Sequence, residues 1–241
     1  MSRYEDCLEL LSTTEEFISK LEQEYSEAKS SDEILNVHRV SVKSCLENIR
    51  SVFEYIAMDV YESYSRKNSR IYFPYGEDEP SFNRSLNRNI PGLAIQAPEL
   101  LTLVESVQPH RCGDNWLVEF CKATNFNKHN RLSRQIRKNS RKSTVKIPGF
   151  MHLEGVDSVV MENITINGHP LVNGRLVIDK DSRFKDMRSQ INENFSISRT
   201  FEWVEFNLED VEYDIHKLLN RAHLEAKRLA IDVREVISTK A

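Results

Sequence analysis

Between Thr144 and Phe206 the hydrophobic residues of this chain change period, and no other feature constrains its fold as tightly. Val159-Val160-Met161, Ile164-Thr165-Ile166 and Leu176-Val177-Ile178 are short β-branched runs. They are separated by Asn167-Gly168 and Asn173-Gly174, dipeptides that favour two-residue hairpin turns. Phe195, Ile197, Arg199, Phe201 and Trp203 then alternate with polar residues, the pattern of a half-exposed strand running to near Phe206. On either side the period is helical. The spacing predicts an α+β chain, mainly a bundle of about four or five helices. A small antiparallel sheet of about three to five strands is inserted before a long last helix. Residues 1–143 supply the bundle, 144–206 the sheet and 207–238 the closing helix, within one domain.

In the first helix Leu8, Leu11, Ile18, Leu21 and Tyr25 recur at helical spacing. Ser30-Ser31-Asp32 reads as a turn and cap before a second helix. The stripe of that helix is Val42, Cys45, Ile49, Val52, Phe53, Ile56 and Val60, ending near Tyr64. Ile71-Tyr72-Phe73-Pro74 reads as a short extended piece and Glu77-Asp78-Glu79-Pro80 as a surface loop. Pro98 suits the first turn of a helix that Pro109 stops. Asp114 or Asn115 can cap the next helix, which buries Trp116, Leu117, Phe120, Cys121 and Thr124 and runs on into a basic stretch. Asn207 can cap the last helix, whose stripe holds Leu208, Val211, Ile215, Leu218, Ala222, Leu229, Val233 and Val236. Such a stripe buries against the bundle or partly against a second copy, so a homodimer is expected.

The chain is acidic as a whole, with 37 Asp and Glu against 33 Lys and Arg. Yet Phe120 to Leu153 holds nine Lys or Arg and no Asp or Glu. A basic stretch in an acidic chain points to a polyanionic partner, RNA, or to an acidic protein. If the helix after Trp116 continues, Arg131, Arg134, Lys138, Arg141 and Lys142 share a broad face that can hold a phosphate backbone. Aromatic residues hardly interrupt it, so stacking on bases is not expected. The structural alternative is a solvated face paired with Glu15, Glu16, Glu22, Glu24 and Glu27 of the first helix.

No run approaches the roughly 18 apolar residues of a membrane span, and the first residues lack the apolar stretch of a secretion signal. A cytosolic location without membrane contact is expected. Cys7, Cys45, Cys112 and Cys121 show no paired spacing and are expected as reduced thiols. No glycine-rich phosphate loop or serine nucleophile elbow occurs, and no cofactor is implied. His110, Cys112, Cys121 and His129 are four possible zinc ligands, but their spacing matches no common zinc module and no metal is expected.

The segment Asn125-Phe126-Asn127-Lys128-His129-Asn130-Arg131 puts a polar knot on a core-packing helix. At 3.6 residues per turn Lys128 falls in the centre of the buried face and His129 on its flank. A buried amine needs a carboxylate or several acceptors. Arg50 and Glu54 stand one turn apart at the edge of the second helix's stripe, so Glu54 can neutralise Lys128 or orient His129 if the two helices pack together. His129 is then a candidate general acid or base, with Lys128 and Arg50 holding a phosphate or a developing oxyanion. The same four residues can equally form an internal ion-pair network that only fixes helix packing.

The segments Leu46-Glu47-Asn48-Ile49-Arg50-Ser51-Val52-Phe53-Glu54-Tyr55-Ile56-Ala57 and Asn125-Phe126-Asn127-Lys128-His129-Asn130-Arg131 resemble a group of uncharacterised bacterial helical proteins. These carry a leucine-arginine-serine-alanine-leucine-aspartate helix and a later asparagine-x-aspartate-lysine-histidine-arginine helix. The group is similar to the HEPN superfamily of helical bundles, many of them ribonucleases of toxin–antitoxin and phage-defence systems. The likeness spans roughly residues 34 to 135 and places Arg50, Glu54, Lys128 and His129 at the group's polar positions. It implies a protein that binds or cleaves RNA without a metal, with Glu54 orienting His129. The chain departs from the active nucleases in two respects. No arginine is followed four to six residues later by a histidine, and Asn127 stands where the group has aspartate. The rival expectation is a non-catalytic interaction or ligand-sensing module in a defence complex.

Overall fold

A computed structural model of the chain describes residues 3–240 except Asn68, Asn173, Asp210 and Glu212. The first half is helical: α1 (Arg3–Ala28), α2 (Arg39–Glu62), α3 (Glu79–Asn89), α4 (Leu93–Gln96), α5 (Pro98–Glu105), α6 (Pro109–Cys112) and α7 (Trp116–His129). Then come β1 (Gln135–Asn139), β2 (Ser143–Ile147), β3 (Met151–Val156), β4 (Val159–Glu162), β5 (Thr165–Ile166), β6 (His169–Pro170) and β7 (Arg175–Ile178). The chain closes with α8 (Phe184–Gln190), β8 (Ser198–Phe201), β9 (Val204–Leu208) and α9 (Ile215–Lys240). The class is α+β, with small antiparallel sheets and a long last helix, as the periodicity predicts. No helix among the described residues is long and apolar enough to cross a membrane.

Two compact units share the chain. A helical unit takes the residues up to Leu21, His38–Arg134 and the residues from Asn207 on; a strand unit takes Glu22–Val37 and Gln135–Phe206.

In the helical unit α2 packs against α7 and α9, and α9 also receives α5 and α7. The predicted stripe of α2 is buried throughout, from Val42 to Val60. At its middle the Phe53 ring meets Phe73 at 4.9 Å, Phe120 at 5.9 Å and Trp116 at 6.2 Å. The N-cap of α7 is Asn115, which makes no side-chain cap bond, while the Asp114 carboxylate before it accepts from the Trp116 N–H at 3.0 Å. Pro98 opens α5.

Three expectations are corrected here. Glu77–Pro80 is not merely a loop: Asp78 and Ser81 form a reciprocal capping box, and α3 follows with Phe82, Ser85, Leu86 and Asn89 on its buried face. The last helix is capped by Asp214, which accepts from the Lys217 N–H at 3.0 Å, because Asn207 and Leu208 are committed to β9. The second helix starts only at Arg39, so Asp32 does not cap it.

His223 on α9 is buried, with Nδ1 3.0 Å from the Thr14 hydroxyl and Nε2 without a hydrogen-bond partner among the described residues. Burial pushes its pKa below the ordinary value, helped by Lys227 and opposed by Glu15. As pH falls through about 6.5 the unfolded chain takes up the proton first, so the contribution of neutral His223 is lost toward its depressed pKa. His223→Gln should therefore flatten the fall of Tm as pH drops below about 6.5. Melting curves across that range check it, and parallel profiles for the two proteins would count against it.

In the strand unit β2 lies between β3 and β8, both antiparallel, with Val145 opposite Leu153 and Arg199. The β4–β7 pair sets Val159 against Ile178, and β1 pairs with β9. Asn167 (φ 50°) and Gly168 (φ 79°) make the left-handed turn between β5 and β6 that their dipeptide predicts. Of the second predicted turn, Asn173 lies outside the described residues. Val145, Ile147, Met161, Leu176, Ile178 and Met187 build the core of this unit.

The strands begin at Gln135, not Thr144, and α7 ends at His129, so residues 131–142 do not continue a helix. Buried Asn127 explains the stop. Its Oδ1 accepts from the Ser133 N–H at 3.0 Å, and its Nδ2 donates to the Ala123 carbonyl at 2.9 Å and the Ser133 hydroxyl at 3.2 Å. A side chain that hydrogen-bonds backbone ahead of it competes with the helical ladder and turns the chain out.

Two arginines of the strand unit are structural. Arg137 donates to the carbonyls of Ala28, Ser31 and Ile34 at 2.6–2.8 Å, satisfying backbone at the end of α1. Arg199, 2% exposed in its side chain, pairs with Asp32 at 3.0 Å, donates to the Asp179 carbonyl at 2.7 Å and lies 4.4 Å from the Phe201 ring.

Candidate functional site

The packing of α2 on α7 brings Arg50 and Glu54 to face Cys121. The Arg50 guanidinium bonds Glu54 Oε1 at 2.5 Å, donates to Cys121 Sγ at 2.8 Å and sits 5.4 Å from the centre of the Tyr75 ring. Glu54 Oε2 accepts from the Phe73 N–H at 2.7 Å. Burial pushes the Glu54 carboxyl above the usual carboxylate range, against the pull of Arg50, the Phe73 amide and Lys128. The Cys121 thiol is pushed up to about 11, chiefly by burial and against the pull of Arg50. It is an un-ionised core thiol that accepts a hydrogen bond, not a nucleophile.

Lys128 and His129 are both exposed, which corrects the expected buried pair. Helical arithmetic does put Lys128 on the stripe of Leu117, Cys121 and Thr124, and its charge reaches Glu54. It lies, however, in the last turn of α7, where the stripe runs out into solvent. His129 makes no hydrogen bond or ion pair among the described residues, so Glu54 is engaged by Arg50 and Phe73 and does not orient it. The member of the knot that is buried is Asn127.

Beside Arg50 opens a cleft of about 470 Å³ lined by Tyr72, Phe73, Tyr75, Ser81, Arg84, Ser85, Arg88 and Asn89. Arg84 and Arg88, one turn apart on α3, are exposed and form no ion pair among the described residues. The sequence reading passed over both. The signal for them was the capping pattern of Asp78 and Ser81 with Pro80, followed by apolar and small residues at helical spacing.

The basic ladder is redistributed. Arg131 and Arg134 are exposed residues of the helical unit, Arg131 lying 3.6 Å from Glu209. Lys138, Arg141 and Lys142 belong to the strand unit, on β1 and in the tight turn after it. Ser140 holds that turn: its N–H donates to the Trp203 carbonyl at 3.0 Å, and its hydroxyl accepts from the Glu202 N–H at 3.0 Å. The result is a groove of about 780 Å³ lined by Arg137, Lys138, Arg141, Lys142 and Lys180, with Asp157, Asp181, Glu202 and the Trp203 indole, 45% exposed. An adjoining depression of about 1050 Å³ shares Arg137, Asn139, Lys180 and Asp181 and adds Arg183, Lys185 and Arg188 around Phe184. Of its acids, Asp32 is engaged by Arg199. Trp203, distant in sequence from the basic run, brings to the groove the exposed aromatic face that the run itself lacks.

The four possible zinc ligands do not gather. His110 pairs with Glu105 at 3.0 Å, Cys112 lies against the carbonyls of Val107 and Asp114, and Cys121 receives Arg50. Among the described residues no three His, Cys, Asp or Glu side chains are placed to hold a metal ion.

No family model matches this chain, and no curated protein or solved structure matches it.

Proposed function

We propose that this protein binds single-stranded RNA through the basic groove of the strand unit. The observation that carries the reading is the exposed Trp203 indole lining one groove with Lys138, Arg141 and Lys142. Cations that track a phosphate backbone beside an aromatic face that stacks on a base are the two components of single-strand binding. Continuity with the Arg183, Lys185 and Arg188 depression supports a path of several nucleotides. Membership of the HEPN-like group belongs to the same proposal. It is supported by the packing of the two motif helices, α2 and α7, with Arg50 and Glu54 turned toward Cys121. The cytosolic placement rests on four unpaired cysteines.

In this reading the RNA is bound and His129 is not an acid–base catalyst, since nothing described orients it. Fluorescence anisotropy with a labelled oligouridine tests the binding. Trp203→Ala should weaken it by roughly 5- to 150-fold, the equivalent of losing one stacked base at about 1–3 kcal/mol. Arg141→Gln with Lys142→Gln should lower the slope of log K against log salt by about 1.4, near 0.7 for each phosphate contact on a single strand. Unchanged binding in both variants would overturn the assignment. Incubation with total RNA should give the same gel pattern for wild type and His129→Ala; cleavage by wild type alone would restore the nuclease reading.

A further inference from the structure

We propose that the cleft of the helical unit is a second site, which takes the phosphate group of a small phosphomonoester of nucleotide size. Three guanidiniums line it: Arg50, Arg84 and Arg88. Like charges converging on one concavity repel each other unless an anion joins them. Of the nearby carboxylates, Glu54 is engaged by Arg50 and the Phe73 amide, and Asp78, whose charge reaches Arg84, caps α3 through Ser81, so Arg84 and Arg88 are left without a paired anion among the described residues. The arginines divide the work. Arg50 is held from three sides by Glu54, Cys121 and the Tyr75 ring, so its fork is fixed before a ligand arrives. Arg84 and Arg88 are exposed, without ion pairs among the described residues, and stand on the same helix face one turn apart.

The donor set selects the ligand. One carboxylate satisfies a single guanidinium fork, whereas the three terminal oxygens of a phosphomonoester can engage three. The floor is polar and preorganised: Ser85 and Asn89 are buried, Asn89 Nδ2 donates to Ser85 Oγ at 3.1 Å, and Ser85 Oγ accepts from the Tyr75 N–H at 3.3 Å. Tyr72, 37% exposed and with the Arg70 guanidinium 5.2 Å from its ring centre, stands at the rim beside the organic part. A volume of about 470 Å³ is that of a small-molecule pocket rather than a strand-tracking groove.

Isothermal titration of the full chain with adenosine 5′-monophosphate, inorganic phosphate and adenosine tests this. Wild type should bind the monophosphate, inorganic phosphate should compete with it, and adenosine should not bind measurably. The double variant Arg84→Gln/Arg88→Gln changes exposed side chains, so the fold should persist, and monophosphate affinity should fall at least about tenfold. Its oligouridine affinity should stay at the wild-type value. The proposal is overturned if wild type binds neither phosphate species, if adenosine binds as well as its monophosphate, or if the double variant binds unchanged. A parallel loss of oligouridine binding would also overturn it, by making the cleft part of the RNA path. Loss of the Trp203 groove's RNA binding alone leaves it standing.

Discussion

Replacing Asp32 with alanine should destabilise the strand unit by about 3–5 kcal/mol, the usual cost of stranding one member of a buried ion pair. Arg199 cannot escape to water, since its side chain is 2% exposed and is fixed between the Asp179 carbonyl and the Phe201 ring. Asp32 also accepts from the Phe184 N–H at 2.5 Å, so α8 loses an anchor at the same time. The companion change Arg199→Met should recover much of the loss, because neither charge is then left alone. Hydrogen exchange of the β2 and β8 amides reads the effect within this unit. A change of under about 1 kcal/mol would place the pair in the class of surface bridges and contradict its burial.

Glu54→Ala should cost the helical unit a similar amount, about 3–5 kcal/mol, for it leaves Arg50 uncompensated and the Phe73 amide without its acceptor. The reverse change, Arg50→Met, is expected to be milder and pH-dependent. Burial already raises the Glu54 carboxyl, and losing Arg50 raises it further, so the acid can neutralise itself by taking a proton. A folded-state pKa above the unfolded one means stability that is full at low pH and declines as pH rises through the raised value. Arg50→Met should thus approach wild type below about pH 4.5 and fall away above it. Each unit contains one of the two tryptophans, Trp116 in the helical unit and Trp203 in the strand unit. In a Trp203→Phe background, denaturant unfolding followed by Trp116 emission reports the helical unit. Equal losses in Glu54→Ala and Arg50→Met at every pH would contradict this account.

The parts of the fold legible from sequence were those set by long, uninterrupted periods. The α2 stripe from Val42 to Val60, the α7 face around Phe120 and the Asn167-Gly168 hairpin follow from local rules that the packing leaves undisturbed. The errors fall where a single side chain overrides the period. Asn127 redirects the chain before Ser133, which turned an expected helical ladder into a strand and a tight turn. Lys128 has the right angular position but the wrong axial one, because periodicity does not report how far a neighbouring helix extends. Asp32 has the residue type of a cap, yet its partner is Arg199, an association no local pattern encodes. Arg84 and Arg88 were hidden by a short helix with only two large apolar residues, Phe82 and Leu86, on its buried face. Trp203 joined the basic run through the Ser140 hydrogen bonds, which link residues some 60 positions apart.

Neither unit is continuous in the chain, and the order of their completion differs during synthesis. The strand unit has all its parts once Phe206 has left the ribosome. The helical unit must wait for α9, whose packing on α2 joins residues separated by most of the chain. Until then the apolar stripes of α2 and α7 lack their cover, and the nascent protein carries a finished strand unit after a helical unit that still waits for its last helix. Ribosome-bound intermediates stalled after Phe206 should therefore be protease-resistant from Gln135 to Phe206 and open to cleavage in α2 and α7.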